Sequence, residues 1–212
     1  MSETVAPILG LRDRKKIKLR ETILQTADRL FREQGYERTT LERICDEAET
    51  SLRTLLRYFP TKEDLALGRE IVVMEAFRKA LEALDPSVSV IKFWRDRLAL
   101  SRVHLDREAF LAHLHIIDSA PAVQAKMLAL QVEYENMLAE AFAREAGLLP
   151  DDDLHGRLLA GMLIAGNRAA TRRWAASKGK LDLSKLRADV IDWAVTNFPA
   201  RQGVAGKRSK SA

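Results

Sequence analysis

The stretch ICDEAETSLRTLLRYFPTKEDL, residues 44–65, sets two short apolar runs on either side of the polar hinge Glu49, Thr50 and Ser51, and is interrupted by Pro60. Leu41, Ile44, Cys45 and Ala48 recur at helical spacing and support a helix of two turns before the hinge. Ser51 is placed to cap a second short helix. That helix must end at Phe59, because Pro60 has no amide hydrogen and restrains the residue before it. Upstream, the stripe Ile23, Leu24, Ala27, Leu30 and Phe31 describes a longer helix over 15–34, with Gly35 as its stop. Thr39 with Glu42 has the form of a capping box for the second helix, and Thr61 with Asp64 repeats it at the start of a fourth. A short helix, a turn of three or four residues and another short helix is the layout of a helix-turn-helix, whose last helix enters the DNA major groove.

Working outward, the fourth helix continues through Ile71, Met74, Phe77, Leu81 and Leu84 to the break at Asp85, Pro86 and Ser87. Later helices are expected over 88–104, 108–118, 122–146, 152–177 and 184–198. No run of alternating β-branched residues occurs, so the fold class is all-α. Four segments follow: a basic, flexible arm over 1–19, a helix-turn-helix domain over 20–65, a helical regulatory and dimerisation domain over 66–200, and a disordered basic tail over 201–212. The fourth helix belongs to both domains on this reading, and would carry displacement from one to the other.

The chain has 212 residues, 47% of them hydrophobic, and a net charge of +5. The charge is unevenly placed: Arg12, Arg14, Lys15, Lys16, Lys18 and Arg20 face one acid, Asp13, while Arg53, Arg57 and Lys62 have no acid between them. The cluster at 12–20 has two open readings, a solubilising tail or an arm that follows DNA phosphates. Cys45 is the only cysteine, which excludes an intrachain disulfide and a cysteine-rich zinc site. It reads as a buried thiol on an apolar stripe. The longest apolar run, LLAGMLIAG at 158–166, is too short to span a membrane, and the N-terminus has no apolar signal core. A cytoplasmic protein is expected.

On the second short helix, Arg53 and Arg57 lie four apart and share a face, with Thr54 and Tyr58 beside them. Arginine near the start of a groove-entering helix can bond guanine O6 and N7 bidentately, and hydroxyls can meet phosphates. Two basic residues at this spacing are most often a solvated face. Inside a helix-turn-helix they read DNA.

LFREQGY at 30–36, TTLERICDEAE at 39–49 and TSLRTLLRYFPTKEDL at 50–65 resemble the tetracycline-repressor-like (TetR-type) family of bacterial transcriptional regulators. The resemblance implies that Thr40 and Lys62 hold phosphates, that Ser51 caps the reading helix, and that Arg53, Thr54 and Arg57 face the groove, with Tyr58 alongside. Three residues depart from the family pattern: Glu49 stands where a turn glycine is usual, Thr50 replaces a valine, and Leu56 replaces a tyrosine that contacts phosphate. Periodicity would bury Leu52, Leu55, Leu56 and Phe59 together, whereas the family layout buries Leu55 and Phe59 and turns Leu52 and Leu56 towards DNA.

Beyond residue 66 no motif is legible. The resemblance implies dimerisation through the helices at 152–177 and 184–198 and a small-molecule pocket in the larger domain. Leu158, Leu159, Met162, Leu163, Ala165 and Ala169, with Leu186, Val190, Ile191, Trp193 and Ala194, suffice for a four-helix seam, and Gly161 and Gly166 would allow close helix approach. The pocket candidates are Trp94, Phe110, His113, Met127 and Tyr134. His113 and His115 diverge around the helix rather than pairing at i, i+4, so no metal is expected. No nucleophile with a base, phosphate loop or carboxylate pair supports an enzyme. The expected function is a ligand-responsive repressor that binds a palindromic operator as a homodimer, with an effector of unknown identity and no other cofactor. The alternative is an architectural or ligand-independent DNA-binding protein.

Overall fold

The computed structural model describes residues 10–100 and 106–199. Among these residues the chain forms ten α-helices and no strand: α1 Leu11–Gln34, α2 Leu41–Glu47, α3 Leu52–Tyr58, α4 Lys62–Ala66, α5 Gly68–Glu82, α6 Val90–Ala99, α7 Arg107–Ser119, α8 Pro121–Ala146, α9 Leu154–Ala176 and α10 Leu183–Asn197. The all-α expectation therefore holds for the described residues. The tail at 201–212 lies outside them, as do the first nine residues of the expected arm.

The first helix is expected over 15–34 and a flexible arm over 1–19; α1 instead begins at Leu11, so residues 11–19 of that arm are helical. Arg, Lys and Leu are good helix formers, and Asp13 stands in the first turn, where its charge suits the helix dipole. A second correction concerns the start of α2. Thr40, not Thr39, is its cap, the Thr40 hydroxyl accepting from the Arg43 amide at 3.1 Å. Thr39 is fully buried and donates instead to the carbonyls of Gly35 and Leu30, at 2.9 and 3.3 Å. Competition for one hydroxyl decided between them, because the end of α1 needed a donor.

The long fourth helix is also corrected: it is two helices, α4 and α5, broken at Leu67. Thr61 and Asp64 do form the expected capping box. Just after the break, a Cβ on Gly68 would overlap Leu24 Cδ2 of α1 and lie 3.0 Å from the ring of Phe59, so a larger residue there would force the buried Leu24 side chain to move.

One apolar cluster holds α1, α2 and α3 together and does not stop at them. Ile23, Leu30, Ile44, Leu55, Phe59 and Leu65 share it with Ile116 and Ile117 of α7 and Val123 and Leu130 of α8. A second cluster packs Phe77, Trp94, Leu138, Phe142, Leu159, Leu163 and Ile191 inside the larger part. A smaller third gathers Ala170, Trp174 and Leu183 with Phe110 and Leu114 against it. Asp153 caps α9 through the Gly156 amide, and Asp182 caps α10. Gly166 is where α9 approaches α10, since a Cβ there would strike Val190.

Candidate nucleic-acid interface

The hinge between α2 and α3 is a Schellman motif. The Thr50 amide donates to Cys45 O at 3.0 Å and the Glu49 amide to Asp46 O at 3.4 Å. That geometry places Glu49 at φ +49, in the left-handed region that glycine usually occupies. Ser51 then caps α3, accepting from the Thr54 amide at 3.2 Å while its hydroxyl donates to Thr54 Oγ1 at 2.9 Å.

Leu55 and Phe59 anchor α3 in the core, whereas Leu52 and Leu56 are 38% and 37% exposed. The open question of direction is answered in favour of the outward arrangement, because two anchors on one stripe leave no core for the other leucines. Arg53 and Arg57 are exposed beside them. The Arg57 guanidinium lies 5.2 Å from the ring centre of Tyr58, which is half-buried against the core. Arg57 and Tyr58 also form one wall of a cleft of about 520 Å³, and Arg12, Lys15, Lys16 and Leu19 of α1 line the rest.

Not every expected site residue is free to leave the protein surface. The Lys62 ammonium lies 4.2 Å from the Tyr36 ring centre and 3.5 Å from Glu37 O, and burial pushes its pKa down. Tyr36 in turn donates to Glu63 at 2.9 Å. Thr40 is exposed while capping α2.

Two ion pairs cross from this region to the rest of the chain: Arg69 of α5 meets Asp28 of α1 at 2.6 Å, and Lys126 of α8 meets Asp64 of α4 at 2.5 Å. A third pair lies just beyond it, His113 of α7 meeting Glu70 of α5 at 2.7 Å. Burial alone would lower the His113 pKa, but Glu70 outweighs it and the imidazolium is held above its usual range. Burial likewise opposes the Glu70 charge, and His113 outweighs that, so the carboxylate is held below its usual range.

The expected pocket residues do not converge on one place. Trp94 and Tyr134 flank Phe77, with ring centres 5.8 and 5.1 Å from it. Phe110 instead packs on Trp174 at 5.3 Å, Met127 lies against the cluster shared with α1 to α3, and His113 is committed to Glu70. Burial pushes the Tyr134 phenol up. Sequence reasoning passed over Arg187, whose signal was a charge at i+4 on the apolar stripe Leu183, Ile191, Ala194. Among the described residues no group of His, Cys, Asp and Glu side chains is arranged to hold a metal ion, and no helix is long and apolar enough to cross a membrane.

Residues 23–68 match the family described as bacterial regulatory proteins, tetR family. The HTH-type transcriptional regulator TcmR of Streptomyces glaucescens is 32% identical over 173 residues, spanning 78% of this chain and 76% of the relative. This chain belongs to the TetR family. Its larger part, residues 72–199, matches the family described as the MftR C-terminal domain. A second relative, the HTH-type transcriptional regulator RutR of Escherichia coli K12, is 27% identical over 165 residues, covering 73% of this chain and 76% of its own. Among solved structures, the SmeT–triclosan complex shares the fold with a TM-score of 0.63 at 19% identity, over 92% of this chain and 98% of that one. The FadR repressor of Thermus thermophilus with lauroyl-CoA does so with a TM-score of 0.53 at 23% identity, over 88% and 98%. As a TetR-family member the chain is a transcriptional regulator, not an enzyme.

Proposed function

We propose that this regulator is a ligand-responsive repressor that binds a two-fold symmetric operator as a homodimer in the cytoplasm. The observation that carries the reading is the outward face of α3, where Leu52, Arg53, Leu56 and Arg57 stand exposed on a helix fixed by the Schellman turn and the Ser51 cap. Arg53 and Arg57 supply base-edge donors, while Leu52 and Leu56 suit thymine methyl groups in the major groove. Thr40, Ser51, Thr54, Tyr58 and Lys62 flank that face as phosphate-contact or positioning residues. The DNA-binding unit takes in all of α1 and runs to about residue 65, and the regulatory unit follows from 66, although their apolar core is continuous.

A groove of about 530 Å³ between α9 and α10, lined by Met162, Ala165, Ala169, Val190 and Trp193, supports a dimer seam on these two helices. Leu158 and Trp193, 50% and 62% exposed, extend the same apolar surface. Small-molecule complexes of SmeT with triclosan and of a FadR repressor with lauroyl-CoA support an effector site in the larger part. Because α7 and α8 share a core with α1 to α3, effector binding would shift the reading helices through them as well as through α5. A coupling of about 1–3 kcal/mol would change operator affinity roughly 5- to 150-fold.

The test is footprinting on the DNA flanking the protein's own coding region, at two salt concentrations. Two protected half-sites about 34–36 Å apart, or a multiple of it, are expected. Uniform coverage lost in higher salt would instead identify an architectural protein. Arg53→Ala and Arg57→Ala should each weaken binding and relax base preference at one position by about 1–3 kcal/mol. No change with either variant would rule out α3 as the reading helix.

A further inference from the structure

The regulatory part buries a positive charge that nothing among the described residues neutralises. Arg187 is only 8% exposed, and it occupies the inward stripe of α10 between Leu183 and Ile191. Its Nε has no hydrogen-bond partner, and burial, unopposed by any carboxylate, pushes the guanidinium down to about 10. An unpaired buried cation opposes folding, and a counter-ion removes that opposition.

Two other orphaned polar atoms border the same apolar cluster: Trp94 Nε1 on α6 and Asn167 Oδ1 on α9. Trp94 packs in that cluster with Leu163, Ile164 and Ile191. Asn167 lies one helical turn beyond Leu163 and Ile164, and Arg187 one turn before Ile191. Three helices thus carry a cation, a donor and an acceptor in, or within one turn of, the side chains of one apolar cluster, and these are the chemical groups of a small-molecule site.

We propose that Arg187 anchors the carboxylate of an organic acid effector, with the indole N–H of Trp94 and the amide of Asn167 bonding its polar groups. Guanidinium and carboxylate match in charge and in bidentate geometry. A single buried cation balances a single negative charge, so a phosphate monoester is disfavoured. The inference rests on the ligand-responsive reading above and specifies the class of ligand.

The test uses the full chain, unaltered and as Arg187→Met and Arg187→Gln, with benzoate, octanoate, their neutral amides and phenyl phosphate as probes. Thermal unfolding and operator release are both read. At about ten times its dissociation constant an acid should raise the midpoint by roughly 3 °C in the unaltered chain. The matching amide should not, and the acid-specific shift should vanish in both variants while operator binding without probe persists. Equal shifts with acid and amide, or an acid-specific shift that survives in the variants, would overturn the proposal. So would a larger effect of phenyl phosphate than of benzoate, or loss of folding in both variants, which would make Arg187 a structural residue. A neutral compound that releases operator equally from all three proteins would leave the ligand-responsive regulator standing and remove this inference alone. Absence of operator binding by the unaltered chain would instead remove the function itself.

Discussion

Glu49 shows how a single residue can carry the geometry of a whole interface. Its left-handed backbone is imposed by the Schellman bonds that join α2 to α3, and an L side chain there costs about 1–2 kcal/mol. Glu49→Gly should therefore stabilise the protein by about 0.5–1 kcal/mol, the relief being partly offset by glycine's greater freedom in the unfolded chain. Urea denaturation would check it, and a lower midpoint in the variant would show that the turn is not strained. The strain was foreseeable, since glycine is the usual residue at such a turn. The direction of Leu52 and Leu56 was not, because period alone would bury them with Leu55. Thr39 and Thr40 were likewise indistinguishable in sequence, and only the unmet carbonyls of Leu30 and Gly35 separated them.

Among the elements, α1 begins one turn before the helix its apolar stripe describes. That start puts Arg12, with Lys15 and Lys16, across a cleft from Arg57 and Tyr58, where a phosphodiester backbone can lie. Replacing these three with alanine preserves helix propensity. It should make the salt dependence of operator binding shallower by about 2–3 per protomer in log–log slope, with base preference unchanged. An unaltered slope would return these residues to the role of solubilising charge. A second prediction concerns the α5 to α7 contact. His113 has a raised pKa, so its contribution to stability is complete below about 6.5 and is lost as pH rises through its folded value. Glu70 has a lowered pKa, so its contribution is present above about 4.5 and is lost as pH falls through its folded value. The stability advantage of the native chain over His113→Gln should thus shrink as pH rises above about 6.5 and through the raised folded value of His113. Parallel curves in pH-dependent urea denaturation would show the pair to be energetically silent. The pair itself was illegible, because residues 70 and 113 meet only through packing of distant helices.

For the whole molecule, the dimer seam makes a prediction of its own. Trp193→Asp puts a charge on the apolar face of α10, and sedimentation should show a folded monomer with much weaker operator binding. A dimer that survives the change would place the seam elsewhere. The hinge, the Ser51 cap and the Tyr58 to Leu65 segment were all legible because they rest on local forces: apolar period, capping hydroxyls and the missing amide of Pro60. The break at Leu67, the core shared by α1 to α3 with α7 and α8, and the unpaired charge of Arg187 were settled only in three dimensions. Each depends on which distant side chains arrive at the same place: Gly68 is tightly bounded because Leu24 and Phe59 meet there, and Arg187 is anomalous because no carboxylate among the described residues does.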